Sequence, residues 1–342
     1  MNWFSTVNSS RSRVPLSLWL LLVLSLVGTM VAGLSLGSVS IPPLSIWDTL
    51  TGGDVPSSWR TIVLHLRLPR VLAAAMAGGG LACSGLLMQT LFGNGLAGPS
   101  VLGVSSGASL GAAVALLLSP TEGVLSKLGL LGSSFFGALL AMALVAAVAE
   151  RVRKGATLLI LGLMMGYAIN SVVSVLIQWA PAERVHGFVS WSFGTFAGIG
   201  WDRLPWMGLA LFVGVILALM GHRLWDAFLL GESCAATVGA DVTSIRRRMI
   251  MIVAILAGTV TAYCGPVAFL GIAVPHLARG LIGSARHRYL TPASILTGAT
   301  LAVLADLFSR LPGGASSLPL NAVTSLIGAP VVAWVVMKGG DR

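Results

Sequence analysis

Apolar runs of about membrane length alternate with short polar connections along the chain, and this alternation predicts its architecture. A helix of roughly 20 apolar residues crosses the hydrocarbon core of a bilayer. Such runs cover Val14–Leu36, Val71–Leu91, Ser100–Ser119, Leu128–Ala149, Ala156–Ala180, Leu204–Gly221, Thr291–Ser309 and Leu318–Met337. One more, Met249–Ala278, has 30 residues and no Asp, Glu, Lys or Arg. It is long for one crossing and tight for two. Arg246–Arg248 precede it and Arg286, His287 and Arg288 follow it, so both ends belong on one side and the number of crossings is even. Gly265-Pro266 is the natural turn, and Pro275 is expected to kink or end the second limb. The chain therefore reads as all-α, a single polytopic membrane domain over residues 1–342 with about ten transmembrane helices.

The connections refine this picture. Arg11 and Arg13 precede the first run, which is long for a signal peptide and lacks a small-residue cleavage site; it reads as a retained helix. Residues 37–66 form a polar connection whose Trp47 and Trp59 suit a membrane–water boundary. A second long connection covers residues 181–203, and its apolar part, Trp191–Gly198, predicts a short surface helix. Gly78, Gly79, Gly80 and Gly85 predict a second span buried among the others. Gly103, Gly107 and Gly111 predict a small-residue packing stripe on the third, and Gly162 and Gly166 repeat it on the fifth. The connection Trp225–Arg248 differs from the rest. It mixes Asp226 and Glu232 with small residues and ends in Arg246–Arg248, which fits either a solvated loop with a basic flank or a structured element at the membrane face.

Composition and charge agree with a membrane protein. The sequence is 56% hydrophobic and 9% charged, with a mean hydropathy of +0.92. The net charge of +10 is spread thinly through apolar sequence, which argues against nucleic acid as a partner and fits the cytoplasmic Lys/Arg excess of membrane proteins. With both termini inside, only seven of the 21 basic residues (Arg60, Arg67, Arg70, Lys127, Arg184, Arg203 and Arg310) fall outside.

Catalytic chemistry is absent. There is no Walker A pattern, and no His/Cys/Asp/Glu group has metal-ligand spacing; Cys83, Cys234 and Cys264 are far apart. No span carries a central acidic residue of the kind a proton relay needs. Asp306, near a predicted outer end, stands four residues before Arg310 and is expected to pair with it. His276, beside Pro275, reads as a hydrogen-bonded packing histidine.

Several ordered blocks carry a family resemblance: Leu66–Leu72 (LRLPRVL), Gly85–Gly107 (GLLMQTLFGNGLAGPSVLGVSSG), Leu230–Val242 (LGESCAATVGADV), Gly265–Arg279 (GPVAFLGIAVPHLAR), Leu304–Arg310 (LADLFSR) and Leu318–Trp334 (LPLNAVTSLIGAPVVAW). With them the chain resembles the FecCD-type permeases, membrane subunits of iron-chelate and vitamin B12 ABC importers. It departs from the family pattern at Asn94-Gly95, where Asn-Pro is usual, and at Ser317, where an acidic residue is usual.

The resemblance implies a bacterial inner-membrane permease, working as a dimer of permease subunits, with a homodimer favoured. Two ATP-binding cassette ATPases would supply ATP and magnesium sites that this chain lacks, so it would be no enzyme and bind no cofactor of its own. A periplasmic binding protein would deliver an iron chelate (a siderophore or haem) or a corrinoid. ATPase coupling would fall to Gly231, Glu232, Ala235, Ala236 and Gly239, a cytoplasmic gate to Gly155 and Ala156, and binding-protein docking to Arg67, Arg70 and Arg310. Helix anchoring is the alternative for those arginines. An ATPase-independent secondary transporter or channel is the alternative for the whole chain.

Overall fold

The computed structural model describes residues 14–118, 124–151, 155–229, 231, 236–237, 241–310 and 318–340. These residues form helices and their connections, with no strand among them. In chain order the helices are α1 (Leu16–Ser35), α2 (Pro43–Thr51), α3 (Ser57–Phe92), α4 (Val104–Leu118), α5 (Val124–Arg151), α6 (Gly155–Trp179) and α7 (Ala182–Ser192). They continue as α8 (Leu204–Met220), α9 (His222–Leu229), α10 (Val242–Cys264), α11 (Leu270–Ile282), α12 (His287–Arg310) and α13 (Leu320–Gly340). Among the described residues, six helices are long and apolar enough to cross a membrane, or up to seven if the bent pair α8–α9 counts as one span. The shorter α4 and α11, and the apolar part of α13 (Leu320–Ala333), carry the remaining predicted runs.

α3 is the hub. It packs along α12, α10, α11 and α8, and from Val71 to Leu91 nearly every residue is buried. Its glycines make this possible. Gly78 lies against the Gly298 backbone of α12, where a Cβ would overlap the carbonyl. Gly85 lies against the Gly271 carbonyl of α11, and a side chain there would collide with it. That carbonyl is the one Pro275, lacking an N–H, cannot serve within the helix. A second glycine contact joins α4 and α5 through Gly107, Gly111 and Gly137.

Four boundaries differ from the sequence expectation, each for a local reason. Residues 37–66 are largely helical: they hold α2 and the first turns of α3, which widens into a π-helix over Ile62–Arg67 before Pro69. The wide turn lets the helix pass a proline that can donate no hydrogen bond. The short helix of the second long connection is α7, starting after Pro181 and ending before Gly194 (φ +71°), so Trp191–Gly198 holds only its last turn. Gly103 (φ +78°) is a turn residue ahead of α4, leaving Gly107 and Gly111 as the packing stripe. α10 starts at Val242, capped by Asp241 accepting from the Ser244 amide at 3.1 Å, so Arg246–Arg248 lie on the helix rather than before it. The hairpin at Gly265-Pro266 is as predicted, and Pro275 sits within α11 without ending it.

Candidate functional site

The bundle has a basic end, where α9 meets the start of α12 and the start of α10 reaches the end of α5, and an opposite end holding Arg67, Arg70 and Arg310. At the basic end the chain bends by 58° between α8 and α9. Gly221 lets the Trp225 ring fold back over the bend, and the buried indole donates to the Ala218 carbonyl at 2.8 Å. This fixes α9 with Asp226 toward α12. The Asp226 Oδ1 accepts from both the backbone amide and Nδ1 of His287, each at 2.8 Å. The Nε2 of that histidine, which is wholly buried, meets Thr90 Oγ1 in the last turns of α3 at 2.8 Å. Burial alone would push the Asp226 carboxyl up, but the hydrogen bonds and charge of His287 hold it below its ordinary range. Nearby, Arg246 donates to the Ala149 carbonyl at 3.1 Å and so caps the end of α5.

The predicted coupling residues continue from α9. Gly231 follows it in a left-handed conformation (φ +98°) and Ala236 is helical; Glu232, Ala235 and Gly239 lie outside the described residues. Gly155 and Ala156 form the first turn of α6.

At the opposite end the three predicted arginines converge, but in different settings. Arg67 is only 6% exposed and its guanidinium caps the C-terminus of α1: it donates to the Leu34 and Ser35 carbonyls at 2.6 and 2.9 Å, and also to Val39. Arg70 and Arg310 share the buried Asp306 carboxylate, at 2.8 and 3.0 Å. The expected Asp306–Arg310 pair is therefore present, within a triad that also bridges α3 to α12. Arg310 further donates to the Gly33 carbonyl at 3.3 Å. Arg70 and Asp306 open onto a cavity of about 250 Å³, lined also by Phe193, Thr195, Ser309 and Pro319.

Two more side chains, of Asn321 and Trp201, make long-range hydrogen bonds toward this end. Asn321, at the start of α13, accepts from the Ala268 amide at 2.8 Å and donates to the Ser192 carbonyl at 3.2 Å, tying α7 to the α10–α11 turn. Next to Ala268, Phe269 is held at φ +64°, a strained conformation for a residue with a Cβ. Trp201 donates its indole N–H to the Leu64 carbonyl at 2.8 Å. In the π-helix that carbonyl would be served by residue 69, which is Pro69. The indole thus satisfies a group orphaned by the proline between Arg67 and Arg70. His276 matches its expected role, buried and 2.6 Å from the Gly95 carbonyl.

Sequence reasoning did not find Asp226–His287–Thr90, Asn321 or Trp201. The signal for the first was an acid in a basic connection and a histidine counted only as a basic flank. Pro69 announced an orphan carbonyl, without saying what would fill it.

A model of the FecCD transport family matches residues 21–338. The chain is similar to the vitamin B12 import system permease protein BtuC of Vibrio cholerae serotype O1, with 36% identity over 309 residues covering 90% of each protein. It is 34% identical to BtuC of Vibrio vulnificus over 332 residues, 97% of this chain and 95% of that protein. The solved structure of a metal-chelate type ABC transporter in an inward-facing conformation superposes with a TM-score of 0.84 at 27% identity, covering 95% of this chain and 100% of the other.

Proposed function

Because the chain belongs to the FecCD transport family, we propose that it is the permease of a binding-protein-dependent ABC importer that moves a corrinoid or an iron chelate across a bacterial inner membrane, driven by a separate ATPase. The observation that carries the energetic part is the state of Asp306. It is the most buried carboxylate among the described residues, and both Arg70 and Arg310 neutralise it. A driving proton or sodium ion would need an intramembrane acid able to exchange it, and this one is held by two cations. This supports a reading in which the work enters from outside the membrane, through the segment from α9 to α10 at the end whose basic residues suit the cytoplasmic side. The curated relatives named above import vitamin B12, which makes a corrinoid the first substrate to test.

Within this reading Gly231–Gly239 seats in the ATPase, and the first turn of α6 at Gly155 and Ala156 borders the cytoplasmic gate. The binding protein docks at the opposite end. Arg70 and Arg310 offer partly exposed charge there, while Arg67 holds the end of α1 in place beneath them. A second permease copy covers α6.

The test is uptake of cyanocobalamin, haemin and ferrichrome by proteoliposomes holding the permease with its ATPase and binding protein. ATP-dependent uptake of one substrate, lost in a Glu232→Arg, Gly239→Trp double variant, is the expected result. Uptake driven by an ion gradient without ATPase would establish the secondary-transporter alternative.

A further inference from the structure

We propose that His287 is a positioning residue that locks α9 to the α3–α12 pair, so that this pair carries displacement of the ATPase-facing segment to the opposite end of the bundle. The inference rests on the importer reading above.

Three observations converge on it. First, His287 is the joint of three elements. Its backbone amide and Nδ1 both reach Asp226 on α9, and its Nε2 reaches Thr90 on α3, all at 2.8 Å, while the residue itself begins α12. Both ring nitrogens and the backbone amide are engaged, and the ring is fully buried. A carboxylate only accepts, so Nδ1 donates and the ring orientation is set by Asp226. Second, α3 and α12 are built to move together. Gly78 and Gly298 bring their backbones into contact midway, and at the far end Arg70, Asp306 and Arg310 join them again. A pair in backbone contact at its middle and pinned by charge at one end transmits a shift applied at the other, because packed interiors do not deform continuously. Third, among the described residues α9 has few other polar fastenings to the bundle. It stands beyond a 58° bend, seated by Trp225 and Phe228, and Asp226 makes its hydrogen bonds to α12.

Far-end consequences follow from the same geometry. Arg70 and Asp306 face the cavity at the opposite end, so a shift of the α3–α12 pair against Phe193, Thr195 and Pro319, which line its other wall, changes that cavity directly. The Asp226–His287 contact is thus the place where movement at the cytoplasmic segment becomes movement of the helices that line the outer mouth.

The experiment measures substrate imported per ATP hydrolysed, in proteoliposomes holding the complete complex with its binding protein. Cyanocobalamin is the probe, or haemin or ferrichrome if the wild type imports one of those instead. Asp226→Ala removes the acceptor for both His287 donors from a partly exposed position and spares the buried ring. The ratio of import to hydrolysis should fall about tenfold, within the range for residues that carry coupling. Asp226→Asn keeps an oxygen where Oδ1 stands and should restore the ratio to within about twofold of wild type, which a charge effect alone would not do. His287→Asn, which retains the Asp226 contact and loses Thr90, should fall between them and be non-additive with Asp226→Ala. An unchanged ratio in Asp226→Ala, or import and hydrolysis falling in parallel, would overturn the inference even if His287→Asn did not assemble. A wild type that imports nothing on ATP would instead remove the importer reading, and this inference with it.

Discussion

α3 and α6 are both apolar helices with glycines at helical spacing, and the structure treats them oppositely. The most apolar stretch of α3 is 83% buried and that of α6 only 17%. The difference lies in what their glycines meet. Gly78 and Gly85 of α3 face backbone carbonyls on α12 and α11, whereas a Cβ at Gly166 of α6 would meet only the Ser106 hydroxyl, at 3.3 Å. α6 also presents Ile160, Met164 and Tyr167 outward. Apolarity qualifies a helix for the bilayer. Backbone contact with a neighbour decides whether that helix becomes core or a face open to lipid or to another subunit.

That contrast can be broken at its strongest point by Gly85→Leu. A side chain there must displace α11, and the expected cost is more than about 3 kcal/mol, the upper part of the overpacking range. Folded yield in detergent should collapse. A monodisperse, thermally normal protein would show that α3 is not the hub. Asp306→Asn comes next. It leaves Arg70 and Arg310 facing each other without a carboxylate and should cost about 3 kcal/mol, read as a lowered Tm. An unaltered Tm would detach the Arg70–Asp306–Arg310 triad from what holds α3 on α12.

A smaller effect is expected from Trp201→Phe, which keeps the ring and removes the donor to the Leu64 carbonyl. The loss should be about 1 kcal/mol and confined to local amide exchange around residues 62–70. Faster exchange across the whole of α3 would contradict a purely local plug. The smallest belongs to α6: Met164→Ala, on an exposed face, should change monomer stability by no more than about 0.5 kcal/mol. A large loss in the purified monomer would mean α6 is core after all. A loss seen only in the assembled complex would identify that face as covered by a second subunit.

Much of this was legible in the chain itself. Length and hydropathy are local properties that add along a segment, so the apolar runs, the hairpin at Gly265-Pro266 and the all-helical class follow directly. The Lys/Arg bias separates the two ends for the same reason. Ordered blocks such as LRLPRVL and GPVAFLGIAVPHLAR identify the family. The Asp306–Arg310 pair was readable because four residues on a helix bring side chains together.

The tertiary structure decided the rest, because the deciding contacts join residues far apart in sequence. Asp226 meets His287 across 61 positions, Arg70 meets Asp306 across 236 and Arg67 meets Leu34 across 33. Hydropathy assigns each of these residues to a helix end and says nothing about which other end it faces. Arg67 looked like outward charge because its span was expected to start after it, at Val71. Only once the π-turn before Pro69 extends that helix to Ser57 does its guanidinium reach the carbonyls that end α1. The sequence determined which segments are helical, long and apolar enough to enter a membrane. Three-dimensional register, set by glycine contacts and by one proline's missing N–H, decided which of them form the core and which charges are left to act.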